Sequence, residues 1–336
     1  MTSINYRPIG AGIWGLVFLA LSWALSGGGL GQAAGTGPEP ATKTKYLGWY
    51  DVGPPHNQYG YWAAARRTSN LVYMRVARNE FADLIPKAQA EGWKGVILAG
   101  HEREHARTAE AARAIVRAGL NLVAIIYSDE PDLAAPILRN QNMTQHLTHH
   151  YNALKAELKA RGLDQIPIGA TWSLAAIPPW TWKRRLERFG TPPQDVFITD
   201  SWYSGKDDEL HLVRQRTVDW LDYMKSKLGP KPIIHVIKAW SRVPPDLQEI
   251  HPEWVLRQLK CVTGTGSSTY RWQNPRTKDV AQVTVQPLEA KYQGLAVLMY
   301  KMDPTRNQDT QSAGGNQPEI IKAVASYAKP RGWTMD

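Results

Sequence analysis

The chain has 336 residues, 43% of them hydrophobic, enough for one large domain or two small ones with a proper core. Its single cysteine, Cys261, excludes an internal disulfide and a cysteine-based zinc site. The formal charge of +10 suits an acidic glycan, a wall polymer or an anionic membrane surface; the basic residues are dispersed and no nucleic-acid module is visible, which argues against nucleic acid as a partner.

In chain order, Arg7 is the only charge before an apolar run at residues 13–25. That run is short for a membrane span and right for the core of a signal peptide. Gly31 and Ala33 fit the small-residue positions of a cleavage site, so residues 1–33 read as a leader for secretion or periplasmic export. An uncleaved membrane anchor is the alternative. Residues 34–45, rich in Gly, Pro and Thr, read as a linker.

From Tyr46 a rhythm sets in. Apolar, β-branched runs occur at 46–51, 70–76, 95–100, 120–130, 166–172, 195–202, 232–240 and 294–303. Most are continuously apolar rather than alternating, as expected for strands covered on both faces. Helical patterns fall between them at 80–90, 106–118, 144–161, 181–189 and 209–228, each followed by a glycine: Gly92, Gly119, Gly162, Gly190 and Gly229. Residues 252–261 and 318–328 also read as helical, and 268–287 as a β-hairpin inserted before the last strand. Eight βα units over 46–330 predict an α/β fold, a (β/α)8 TIM barrel. A doubly wound open sheet is the alternative, disfavoured because no glycine-rich dinucleotide loop follows the first strand.

The segment His101-Glu102-Arg103-Glu104-His105 spells the H-E-x-x-H of zinc proteases. Those enzymes carry the motif inside a long helix, whereas here a strand runs directly into it. A His101–His105 metal pair with Glu130 or Asp51 as third ligand stays open. The simpler reading makes His101 and Glu102 substrate-binding groups and calls for no metal or other cofactor.

In a barrel of this kind the active site is built where the strands end. Those ends carry Trp49, Asp51 and His56; Arg75 and Arg78; His101 and Glu102; Asp129 and Glu130; Trp172; Asp200, Trp202 and Tyr203; Lys238 and Trp240; and Tyr300, Lys301 and Asp303. Carboxylates for proton transfer and rings for stacking are what holding or cleaving a sugar requires. The 14 tryptophans and 14 tyrosines, against 4 phenylalanines, supply flat apolar faces with a polar edge.

"IIYSDEPDL" (125–133) resembles the strand-four end of (β/α)8 glycoside hydrolases, where an Asn-Glu-Pro or Asp-Glu-Pro carries the general acid. "DVFITDSWYSG" (195–205) and "PIIHVIKAW" (232–240) are similar to strands six and seven of uncharacterised barrels of that kind. The resemblance implies that Glu130 is the acid/base, that Asp129 contacts the sugar and that Asp200 is the strand-six carboxylate. It also exposes a departure. Retaining relatives place a nucleophilic Glu at the end of strand seven, where this chain has Lys238-Ala239-Trp240. Asp200, Asp51 or Asp303 could instead serve as base, with Asp200 favoured. Trp172 and a neighbouring carboxylate would raise the Glu130 pKa.

Two functions follow as expectations. One is an exported glycoside hydrolase acting on a polysaccharide or oligosaccharide, neutral or acidic, with Trp49, Trp172, Trp202, Tyr203 and Trp240 as platforms. The other is a non-catalytic barrel that binds a glycan or assists polysaccharide assembly or export. A metal-dependent hydrolase is a third. Oligomeric state is not legible.

Overall fold

Short β-branched segments covered on both faces pair most readily with parallel neighbours, and seven of them do so in sequence: β1 (Tyr46–Tyr50), β2 (Leu71–Arg75), β3 (Gly95–Ala99), β4 (Leu122–Asp129), β5 (Ile168–Ser173), β6 (Phe197–Asp200) and β7 (Ile233–Lys238). Two further strands, β8 (Ser268–Gln273) and β9 (Val280–Val285), pair antiparallel as a separate sheet. The last strand, β10 (Gly294–Tyr300), lies between β7 and β1 and closes the ring. Tyr300 is in register with Tyr50 on one side and with Lys238 on the other. The predicted (β/α)8 barrel is therefore the observed one, and closure excludes the open doubly wound sheet.

The computed structural model describes residues 44–50, 66–76, 81–129, 131, 142–173, 179–200, 210–239, 252–264, 268–273, 278–300 and 317–335. All of them belong to one unit, Pro40–Asp336. Among the described residues no helix is long and apolar enough to cross a membrane. The expected leader at 1–33 lies outside the described residues, as does nearly all of the linker.

The helices are α1 (Phe81–Glu91), α2 (His105–Arg117), α3 (Met143–Lys159), α4 (Pro179–Phe189), α5 (Leu210–Leu228), α6 (Pro252–Thr263) and α7 (Gln317–Ala328). The glycines that end the first five all take positive φ. At α2 the reason is visible: Gly119 (φ 75°) donates to Val116 O and Leu120 to Ile115 O, the paired bonds that cap a helix through a left-handed residue.

Alternation along each strand divides the apolar residues into two layers. Leu71, Ile97, Ile126, Ile198, Val236 and Leu298 fill the barrel. Leu47, Val72, Leu98, Tyr127, Trp172 and Phe197 face outward and meet helix residues such as Ile115, Leu147, Trp220 and Leu259. Each such side chain taken fully out of water contributes about 1.5–3 kcal/mol. The strands' N-terminal end is held by a polar clasp. Buried Glu289 accepts the Thr44 backbone N–H at 2.9 Å, Asn70 accepts from Leu47 N at 3.0 Å, and the Trp333 indole donates to Thr44 O at 3.1 Å.

Strand β4 carries an extra residue. Ile126 is in register with Gly169, but Ser128 and Asp129 are in register with Ala170 and Thr171, so Tyr127 has no partner position on β5. The alternation is reset there, with consequences at the strand's end.

His235 lies fully buried in the outer layer, between inward-facing Ile234 and Val236. Its Nδ1 shares a short hydrogen bond with Thr199 Oγ1, and its Nε2 has no partner among the described residues. Burial pushes its pKa down to about 3. The unfolded chain takes up this proton below the ordinary histidine value near 6.5 and the folded chain does not. Stability is therefore lost as pH falls from about 6.5 towards 3, by up to about 1.4 kcal/mol per pH unit from this group. Urea midpoints measured from pH 7 to pH 4 should fall less steeply in His235→Leu than in the parent; equal slopes would remove His235 as the cause.

Candidate functional site

The inward residues at the last rungs of the strands build a cleft at the C-terminal mouth of the barrel. Tyr73 and Arg75 from β2, Ala99 and Gly100 at the end of β3, and Ile126 and Asp129 from β4 line it around about 200 Å³. Tyr50 ends β1 beside them. Its hydroxyl donates a short hydrogen bond to Asp129 Oδ1, and its ring lies 4.8 Å from that of Tyr73. Asp200, 2% exposed at the end of β6, lies close enough to act on the same phenol. Burial first, then Tyr73, Asp129 and Asp200, hold the Tyr50 pKa well above its ordinary value. Tyr50 is thus a fixed neutral donor with a carboxylate as its acceptor.

Two of the expected carboxylates therefore act on one tyrosine, Asp129 through a hydrogen bond and Asp200 through its charge. Glu130, the expected acid, follows Asp129 directly and lies outside the described residues. So do Asp51, His56, Arg78, Trp202, Tyr203, Trp240, Lys301 and Asp303. For Lys238 and Tyr300 the backbone register is described and the side chain is not.

Two expected sugar platforms are not at the mouth. Trp49 is 6% exposed, faces the helices and donates its indole N–H to Thr68 Oγ1 at 2.9 Å. Trp172 is fully buried against Trp220, ring centroids 5.6 Å apart, and its Nε1 has no partner among the described residues. Both occupy outward positions of their strands, so neither indole can present a face to a ligand in the barrel mouth. Tyr50 and Tyr73 are the described aromatics that do reach it. Strand parity is the signal that would have found them: Tyr50 is two residues past Gly48, and Tyr73 two past inward Leu71.

The H-E-x-x-H segment also folds differently from a metal-binding helix. Only His105 is in α2; residues 101–104 form the turn before it. His101 is exposed, and its Nδ1 accepts the Arg103 N–H at 3.2 Å. It does not join His105. Glu102 turns away from the cleft: Ser128 Oγ donates to its Oε1 in a short bond, and His146 Nε2 lies 3.2 Å from its Oε2. His150, one turn further along α3, has its Nδ1 2.9 Å from His105 Nε2. Burial raises the Glu102 pKa, but the bonds from Ser128 and His146 and the field of His146 and His150 outweigh it, so the carboxyl titrates below its usual range. Burial, then the charge of His146, pushes His150 down to about 4. His146 and His150 were missed from the sequence; their i, i+4 spacing was the available signal.

No family model and no curated sequence matches the chain. Among solved structures, a glucosidase from Croceicoccus marinus is 10% identical with a TM-score of 0.55, covering 87% of this chain and 68% of its own. A GH26 β-mannanase from Bacteroides ovatus is 11% identical with a TM-score of 0.47, covering 86% and 90%. At these identities the likeness concerns the fold. The chain shares the barrel architecture of the glucosidase.

The relocation of Trp172 has a measurable consequence. Trp172→Ala should destabilise the fold by about 3–5 kcal/mol, as truncation of a buried indole does, seen as a lower denaturant midpoint. A change under about 0.5 kcal/mol, typical of a surface site, would contradict its place in the outer core.

Proposed function

We propose that the chain is an exported glycoside hydrolase acting on a polysaccharide, with Glu130 as general acid and Asp200 as the second carboxylate. The observation that carries this reading is Asp129, hydrogen-bonded by Tyr50 and lining a cleft at the C-terminal mouth of a closed (β/α)8 barrel, with buried Asp200 ending β6 on the same rim. The fold shared with the glucosidase barrel agrees with it. Glycosidic cleavage needs one carboxylic acid to protonate the leaving oxygen and a second carboxylate to attack the sugar or activate water. The chain offers Lys238 rather than Glu at the end of β7, so the second carboxylate must come from another strand. Asp200 is buried at such an end. Tyr50 would fix the Asp129 carboxylate for contact with sugar hydroxyls, and Arg75, with the overall positive charge, favours an acidic glycan.

The same lysine favours a second reading, a barrel that binds a glycan without cleaving it and serves polysaccharide assembly or export. Residues 1–33 direct the chain out of the cytoplasm in either case, through a cleaved leader or a retained anchor.

Glu130→Gln and Asp200→Asn separate the two readings. With soluble polysaccharides assayed for new reducing ends, each variant of an enzyme should lose turnover by about 10²–10⁴-fold while retaining affinity on glycan-affinity gels. Binding by the parent chain without any turnover, or turnover untouched by Glu130→Gln, would establish the non-catalytic reading or remove Glu130 from the chemistry.

A further inference from the structure

A second polar cluster lies behind β4, between the loop that follows β3 and the first turns of α3. Glu102, His146 and His150 each present a ligand atom there, all within 4.8 Å of one another. We propose that these three side chains bind a first-row transition-metal dication, zinc foremost. This inference is independent of the glycosidase reading.

Four observations converge on it. The donors are two imidazoles and one carboxylate, a set that suits zinc and its neighbours; calcium and magnesium prefer oxygen ligands throughout. The spacing fits. Two donors 2.0–2.1 Å from a tetrahedral zinc are about 3.3 Å apart, and His146 Nε2 and Glu102 Oε2 are separated by 3.2 Å. His146 and His150 stand one turn apart on the same face of α3, ring centroids 4.3 Å apart, so the helix backbone holds them together before any ion arrives. The atoms behind the donors are already tied. Ser128 Oγ donates to Glu102 Oε1, which leaves Oε2 to coordinate. His105 Nε2 lies 2.9 Å from His150 Nδ1; with the shared proton on His150, its other ring nitrogen keeps a lone pair for the metal. Outer bonds of this kind orient the ligands of protein metal sites.

The side chains of His146 and Glu102 are 23% and 32% exposed, so one side of the cluster stays open to water as a fourth ligand. A bound ion would join the segment before α2 to α3 and, through Ser128, to the end of β4, one residue from the Asp129 of the cleft.

The test uses the full chain without a histidine tag, stripped with a chelator. Titration with Zn²⁺ followed by calorimetry should give one saturable equivalent. Co²⁺ should give the visible absorption of a four- or five-coordinate nitrogen–oxygen site, and the metal should raise the melting temperature. His146→Ala, His150→Ala and Glu102→Gln should each weaken Zn²⁺ binding at least tenfold, and Ser128→Ala about tenfold. His101→Ala, outside the cluster, should bind as the parent does. The proposal is overturned by absence of one-equivalent binding in the parent, by parental affinity in the His146 and His150 variants, or by an equal loss in His101→Ala. Should the histidine variants fail to fold by circular dichroism, the Co²⁺ spectrum of the parent and the binding of Glu102→Gln still decide it.

Discussion

Everything functional in this molecule depends on the two-residue period of a β-strand in a closed ring. Once β10 joins β1 to β7, each strand has one face inside the barrel and one against the helices, and a residue's parity decides which it sees. Only inward residues on the last rungs reach the mouth. Tyr50, Arg75 and Asp129 are such residues; Trp49 and Trp172 sit at outward positions and are spent on the outer core. An abundance of tryptophan therefore says little about ligand stacking by itself. Trp93, Trp182, Trp220 and Trp333 are also buried, and the outer layer between sheet and helices is where most of the described indoles go.

The extra residue in β4 changes what parity alone would dictate. Ala124 and Ile126 face inward, so unbroken alternation would turn Ser128 into the barrel and Asp129 away from it. The register shift at Tyr127 reverses this. Asp129 enters the cleft and accepts from Tyr50, while Ser128 turns to Glu102 and the histidines of α3. One inserted position thus divides the end of a single strand between two polar clusters. Both are anchored by the rigid part of the fold, since Tyr127 beside them is buried and packs edge-on against Tyr151 of α3 at 6.2 Å.

The barrel was legible because its signals are local: apolar runs of strand length, helical periods between them, and a glycine wherever a helix must stop in the left-handed region. The place of Asp129 and Asp200 at strand ends was legible too, because strand ends share one rim in this architecture. What escaped depends on registers and on contacts distant in sequence. The shift in β4 leaves no mark in "VAIIYSDE". The partnership of Glu102 with His146 spans 44 residues and two elements, whereas the five-letter H-E-x-x-H is contiguous and its first histidine is used up in a local turn. Tyr50 and Trp49 are adjacent aromatics of the same strand, and only parity counted from Gly48 separates the inward ring from the outward one.

The electrostatics of the mouth follow from the same geometry. Asp129 and Asp200 both place negative charge near Tyr50 at the end of an apolar barrel, and the charge of buried Asp200 is the costlier one. Tyr50 offsets part of it as a donor, and its raised pKa means that it does so across the whole physiological range. Arg75 adds a permanent cation to the same lining. The lysine that ends β7 has its backbone in register with Tyr300, beside the strand that carries Tyr50. Under the proposed reading, replacing a nucleophilic carboxylate by a cation at that end shifts the chemistry towards a carboxylate-activated water and the ligand towards an acidic sugar.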